Sequence, residues 1–159
     1  MNTNLMVSAC AAACVLAGCM NSGANTEEVC DIVIYGSSPA AISTAIQAKR
    51  MGRGAVIVSP ETRIGGLTTG GLGQTDIGNK SAFGGIALEF YKAVAAYYAD
   101  DANWTRQKPE SYFPDGQCVG SKGKESMWTF EPSAALKILE GWERRDGLDI
   151  RRGAWSASM

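Results

Sequence analysis

The sequence contains no histidine. That removes the commonest general acid–base group near neutral pH and the commonest metal ligand. The five cysteines are Cys10, Cys14, Cys19, Cys30 and Cys118. Three fall early in the chain and the other two lack zinc-site spacing, so no metal centre is expected. Charge is also scarce: 19% of residues are charged, the net charge is −1, and lysine and arginine form no long run. Nothing in that balance points to nucleic acid or to an electrostatic membrane patch. No apolar run reaches the roughly 20 residues that cross a bilayer as a helix. What remains is an ordinary globular composition in a chain of 159 residues, enough for one domain but not comfortably for two.

The longest run of small and apolar residues, 5–18, is too short for a transmembrane helix but suits the core of a signal peptide. It ends in Leu16-Ala17-Gly18-Cys19, which resembles the lipobox of bacterial lipoproteins, where cleavage precedes the cysteine and the thiol carries lipid. The resemblance implies a signal peptide over residues 1–18, lipidation of Cys19, and a polar tether over residues 19–29. It also implies a folded part over residues 30–159, held on a membrane of the bacterial cell envelope and facing the periplasm or exterior. Residues 1–4 contain no lysine or arginine. A buried helix over residues 5–16 of a cytoplasmic protein is the alternative. In an exported protein Cys30 and Cys118 would be the free thiols, and the sequence does not decide whether they pair.

Residues 30–61 read as strand, glycine turn, helix and strand, a βαβ unit of about 30 residues. Residues 31–35 form a continuous apolar strand, as expected when helices cover both faces of a sheet. Ser38 and Pro39 start a helix, serine as cap and proline in the first turn, where its missing N–H costs nothing. Ile42, Ala45, Ile46 and Lys49 follow helical spacing, with Lys49 carrying the stripe out to solvent. Gly52 and Gly54 stop the helix before a buried strand over residues 55–58. Residues 60–85 are punctuated by glycine without clear periodicity.

A second helix is expected over about residues 85–99, with Ile86, Phe90, Val94 and Tyr97 or Tyr98 on one face. Residues 100–130 read as a long irregular segment, with Trp104, Tyr112, Phe113 and Trp128 as anchors and core. A third helix begins at Pro132 with Ala135, Ile138, Leu139 and Trp142 on one stripe and Glu140 and Arg144 spaced for an ion pair. Residues 148–151 form a short third strand.

The turn Gly36-Ser37-Ser38-Pro39-Ala40-Ala41 lies where a dinucleotide fingerprint belongs. Gly36 permits the tight turn, Ala41 is small enough for helix–strand packing, and Ser38 replaces the usual middle glycine. The following helix offers N–H groups and its positive dipole end to a diphosphate. By itself such a turn is equally a packing joint. The ribose-binding carboxylate belongs at the end of the second strand, where Ser59 stands, followed by Pro60 and Glu61. Either Ser59 takes that contact or Glu61 reaches back, unless Glu61 merely begins a surface loop.

The segment 63–78, with its Gly65-Gly66 doublet and Gly71-Leu72-Gly73-Gln74-Thr75-Asp76, resembles the N-terminal region of a bacterial family of FAD-dependent oxidoreductases. Gly84-Gly85-Ile86-Ala87-Leu88-Glu89-Phe90-Tyr91 and Trp128-Thr129-Phe130-Glu131-Pro132 extend the resemblance over residues 31–152. It implies a Rossmann-like, doubly wound α/β FAD/NAD(P)-binding fold, incomplete at the C-terminus, with FAD as cofactor and a small-molecule substrate. It further implies that Gly36, Ser37, Ser38, Pro39 and Ala40 line the FAD diphosphate and that Ser59 and Glu61 lie near the ribose. Gly65 and Gly66 would pass under the cofactor, with Leu67 and Thr68 running towards the flavin. Asp76, Glu89 or a tyrosine would have to move any proton, and spacing singles out none of them. The domain stops short of a complete FAD sheet and substrate domain, so an N-terminal portion of a larger oxidoreductase is expected. A nicotinamide-binding dehydrogenase domain and a non-catalytic lipoprotein scaffold are the competing readings.

Overall fold

Ile32–Tyr35 (β1) is a short apolar strand whose neighbour in the sheet is Ala55–Ser59 (β2). The two run parallel, in the register Val33↔Val56 and Ile34↔Ile57. The computed structural model describes residues 29–73, 78–112 and 125–155. The proposed signal peptide, the tether to residue 28, Cys19, Thr75, Asp76, Phe113 and Cys118 therefore lie outside the described residues.

Between the first two strands runs α1, Pro39–Arg50. The Ser38 hydroxyl accepts from the Ala41 N–H at 3.3 Å, and Pro39 occupies the first turn. Ile42, Ala45 and Ile46 are each only 1% exposed, as their spacing predicts. Lys49 ends the apolar stripe, and its ammonium donates to the Gly147 carbonyl at 2.6 Å. Gly52, at φ +71°, takes the chain out of the helix in a conformation that costs glycine little.

A five-residue helix, Gly66–Gly70 (α2), and a 3-10 turn, Lys80–Ala82, occupy the stretch that shows no period in sequence. Gly85–Tyr98 (α3) matches its expected span, followed by a 3-10 turn, Asp101–Asn103, and a single helical turn, Pro109–Tyr112 (α4). Pro132–Asp146 (α5) ends at Gly147, φ +58°, and leads into Asp149–Arg152 (β3), one residue later than expected. This strand pairs parallel with β2, giving the order β1-β2-β3. On α5, Glu140 lies 3.8 Å from Arg152 of β3, so its carboxylate ties the helix to the strand instead of forming the expected pair with Arg144.

Ile34, Ile57 and Ile150 are in register and face the same way. They pack with Ile42 and Ile46 of α1 and Leu139 and Trp142 of α5 in one core cluster. Each fully buried aliphatic side chain contributes about 1.5–3 kcal/mol over an exposed one. A second cluster of Val94, Tyr98, Met127, Phe130 and Ala135 lies farther from the sheet. Phe90 joins the two, edge-on to Phe130 at 5.4 Å and to Trp142 at 6.2 Å.

The expectation of helices on both faces of the first strand is not met among the described residues. Val33 and Tyr35 are 67% and 61% exposed. The cause is topological: successive parallel crossovers that step the same way across a sheet place their helices on the same face.

Candidate functional site

The carboxyl ends of β1 and β2 bring three chain corners together. The first is the turn after β1. Gly36 sits at φ +90°, its N–H donates to the Val58 carbonyl at 2.8 Å, and the space before its Cα is open. The α1 N-terminus follows. Pro39 has no N–H, Ala41 is capped by Ser38, and Ile42 bonds the Ser38 carbonyl at 3.1 Å. That leaves the Ala40 N–H as the first-turn donor pointing outward. No acidic side chain occupies this turn, so nothing opposes the positive end of the helix dipole.

The second corner is the end of β2. Ser59 is fully buried, and its hydroxyl donates to the Ser37 hydroxyl at 2.9 Å. The Ser59 oxygen accepts from the Glu61 N–H at 3.1 Å, while the Glu61 side chain is exposed. Of the three serines named as cofactor contacts, Ser37 and Ser59 therefore turn their hydroxyls inward, and the Ser38 hydroxyl is spent on the cap of α1. Ser37 is 4% exposed and bonds the Arg63 carbonyl at 3.4 Å.

The third corner is the glycine loop. The Gly65 N–H donates to the Ser37 carbonyl at 2.6 Å. Gly65 is at φ +94° and a Cβ there would collide with Thr69; Gly66 is at φ +50°, and a Cβ there would meet the Ser38 Cα at 3.7 Å, an ordinary contact. Gly65 is thus required by both space and backbone conformation, and Gly66 by its positive φ. Thr69, 1% exposed, donates from its hydroxyl to the Ile64 carbonyl at 2.5 Å. Arg63 donates twice to the Thr69 carbonyl, at 2.9 and 2.6 Å. Neither Arg63 nor Thr69 carries a sequence signal for this role, because α2 is too short to show a period. Leu67 is 77% exposed, whereas Thr68 faces a cavity.

That cavity, about 480 Å³, opens beside the head of α1. Ala40, Ser43 and Thr68 line one side and Phe90, Phe130 and Trp142 another, with no charged side chain among its described walls. Such a space suits an uncharged, planar or apolar group.

The perturbed ionisable groups lie elsewhere. Glu89 forms a bidentate pair with Arg50, both bonds 2.7 Å, and that guanidinium holds its carboxyl below the usual range. A carboxylate so engaged is a poor proton acceptor, which argues against Glu89 as the base. Burial pushes Tyr98 up to about 12, and its hydroxyl accepts from the Glu131 N–H at 2.9 Å, remote from the turn. Among the described residues no group of three or more His, Cys, Asp or Glu side chains could hold a metal ion.

The family model described as FAD dependent oxidoreductase matches residues 31–159. Among solved structures, AlpK is 17% identical with a TM-score of 0.35, covering 79% of this chain and 24% of its own. The open conformation of a flavocytochrome c3 fumarate reductase is 17% identical with a TM-score of 0.44, covering 82% and 28%. The chain thus spans about a quarter of the length of those structures. No curated relative matches it.

Proposed function

Because this chain belongs to the family of FAD-dependent oxidoreductases over residues 31–159, whose cofactor is FAD, we propose that it is the FAD-holding portion of such an enzyme. The single observation that carries the reading to specific residues is the head of α1. It has an outward N–H at Ala40, open space before Gly36 and no carboxylate in its first turn. That arrangement fits the diphosphate of FAD, which requires a positive helix end approached closely by backbone.

Gly36, Pro39 and Ala40 would hold the diphosphate, and the Glu61 carboxylate would accept from the ribose hydroxyls. Gly66, Leu67 and Thr68 would flank the chain running towards the flavin ring. When bound, FAD supplies the hydride or electron chemistry. The residues of this chain bind it, orient it and keep water from it. The substrate, a small molecule on this reading, would be selected by parts of the enzyme that include segments beyond this sheet.

Purified protein should be yellow, or should take up added FAD with quenching of the flavin fluorescence. A colourless protein that leaves added FAD unquenched overturns the reading. Export rests on Leu16-Ala17-Gly18-Cys19 alone, and we propose acylation of Cys19 and attachment to the cell envelope on that basis. No helix among the described residues is long and apolar enough to cross a membrane. Labelled palmitate should enter the parent and not a Cys19→Ala variant; equal labelling would sink the anchor.

A further inference from the structure

We infer that the buried Ser37–Ser59 hydroxyl pair is a positioning device that sets Glu61 and the glycine loop against the diphosphate turn; the inference rests on the flavin reading. The four groups form one directed chain. The Glu61 N–H donates to the Ser59 hydroxyl at 3.1 Å, which donates to the Ser37 hydroxyl at 2.9 Å. Ser37 in turn donates to the Arg63 carbonyl at 3.4 Å. Each hydroxyl accepts one bond and gives one, so neither has a donor left for a ligand. At 0% and 4% exposure, neither Ser59 nor Ser37 can touch a nucleotide with its hydroxyl.

Their backbones extend the same tie. The Ser37 carbonyl accepts from Gly65 at 2.6 Å, and the Glu61 carbonyl accepts from Gly153 at 3.3 Å. Turn, β2 end and glycine loop are thereby coupled through one buried residue, Ser37. A carboxylate at position 59, where a dinucleotide fold ordinarily places it, would be buried here beside Ser37 and cut off from water. Serine at 59 instead holds the Glu61 backbone, and the exposed Glu61 side chain stands as the carboxylate at the strand tips.

The test uses the whole chain and four variants: Ser37→Ala, Ser59→Ala, the double variant, and Thr44→Ala. Thr44 loses a hydroxyl bond of similar length but exposed, to the Ala40 carbonyl at 2.8 Å, outside the relay. FAD dissociation constants, read by flavin fluorescence, should rise about tenfold in each serine variant, the scale of one lost buried hydrogen bond. The double variant should be no weaker than about either single one, since the pair acts as a unit. Thr44→Ala should keep the parent value. In the protein without FAD, amide exchange at Glu61 should quicken in Ser59→Ala, while Val56 and Ile57 of β2 keep their parent rates.

A parent that binds FAD alongside serine variants that bind it equally well overturns the inference. So does a Glu61 amide whose exchange is unchanged in Ser59→Ala. A parent that takes up no FAD overturns the flavin reading instead, and the amide exchange then still decides whether the relay holds Glu61.

Discussion

The Phe130 N–H donates to the Gly73 carbonyl at 2.8 Å, and a Cβ on Gly73 would collide with the Phe130 carbonyl oxygen. The glycine loop is therefore fastened to the segment that enters α5. That segment is itself anchored: Met127, Trp128 and Phe130 are all buried, and the Met127 N–H donates to the Tyr91 carbonyl at 3.0 Å. The colliding atom is backbone and cannot swing aside. Gly73→Ala is expected to destabilise the fold by about 1–3 kcal/mol, seen as a lower denaturant midpoint at unchanged slope.

Gly65 carries a double constraint. At φ +94° any side chain is strained, and a Cβ would also sit 2.8 Å from Leu139 Cδ1. Gly65→Ala should therefore cost about 2–4 kcal/mol, combining strain and overpacking. Gly78 supplies the contrast, because nothing lies within 4 Å of its would-be Cβ and its φ is unremarkable. Gly78→Ala should stay within about 0.5 kcal/mol of the parent. Equal effects at the two positions would refute the argument from space.

Tyr98 sets an alkaline limit. Its hydroxyl ordinarily ionises near 10.0 and burial raises that to about 12, so the fold favours the neutral phenol. The stabilisation is complete below the unfolded value and is lost as pH rises from 10 to 12. Its size is at most about 3 kcal/mol. Denaturant unfolding at successive alkaline pH values should show this loss, and Tyr98→Phe should flatten it while lowering stability at neutral pH. The neutral-pH loss follows because the Glu131 N–H would lack its 2.9 Å acceptor. An unchanged slope in Tyr98→Phe would exclude Tyr98 as the group responsible.

Thr129 runs the other way. It is 3% exposed, and its hydroxyl has no hydrogen-bond partner among the described residues. A buried hydroxyl without a partner carries a desolvation cost that an isosteric methyl does not. Thr129→Val should be neutral or stabilising, by up to about 1 kcal/mol, in thermal or denaturant unfolding. A clear loss of stability would mean that the hydroxyl is satisfied in solution.

The long helices were legible because each carries an apolar stripe at helical spacing: Ile42, Ala45 and Ile46 in α1, and Ala135, Leu139 and Trp142 in α5, are all buried. The capping signal was equally plain at Ser38, whereas the stop at Gly147 emerges only in the structure. The short helix α2 was not legible, since Gly66-Leu67-Thr68-Thr69-Gly70 has no period and is held by tertiary hydrogen bonds. The apolar run of β1 suggested two covered faces, yet Val33 and Tyr35 stand exposed, because a run of apolar residues does not say which faces have a neighbour. At the candidate site, spacing located the turn, Ser59 and the glycine doublet. It could not say that Ser37 and Ser59 face each other, because the direction of a hydroxyl depends on how β1 and β2 align.

Arg63 and Thr69 provide the last discrimination, between a buried and an exposed tie in the same small helix. Thr69 donates from a site 1% exposed to the Ile64 carbonyl, and losing that donor leaves a buried acceptor short of a partner. Arg63 donates twice to the Thr69 carbonyl, but from an exposed side chain that water can replace. Thr69→Val, nearly isosteric, is expected to cost about 1–2 kcal/mol, and Arg63→Ala about 0.5–1 kcal/mol. Because both bonds hold the same turn, the double variant should cost less than the sum. Denaturant unfolding of the three proteins checks the order. An Arg63→Ala loss larger than that of Thr69→Val would show that the guanidinium clamp, and not the buried hydroxyl, holds α2 in place.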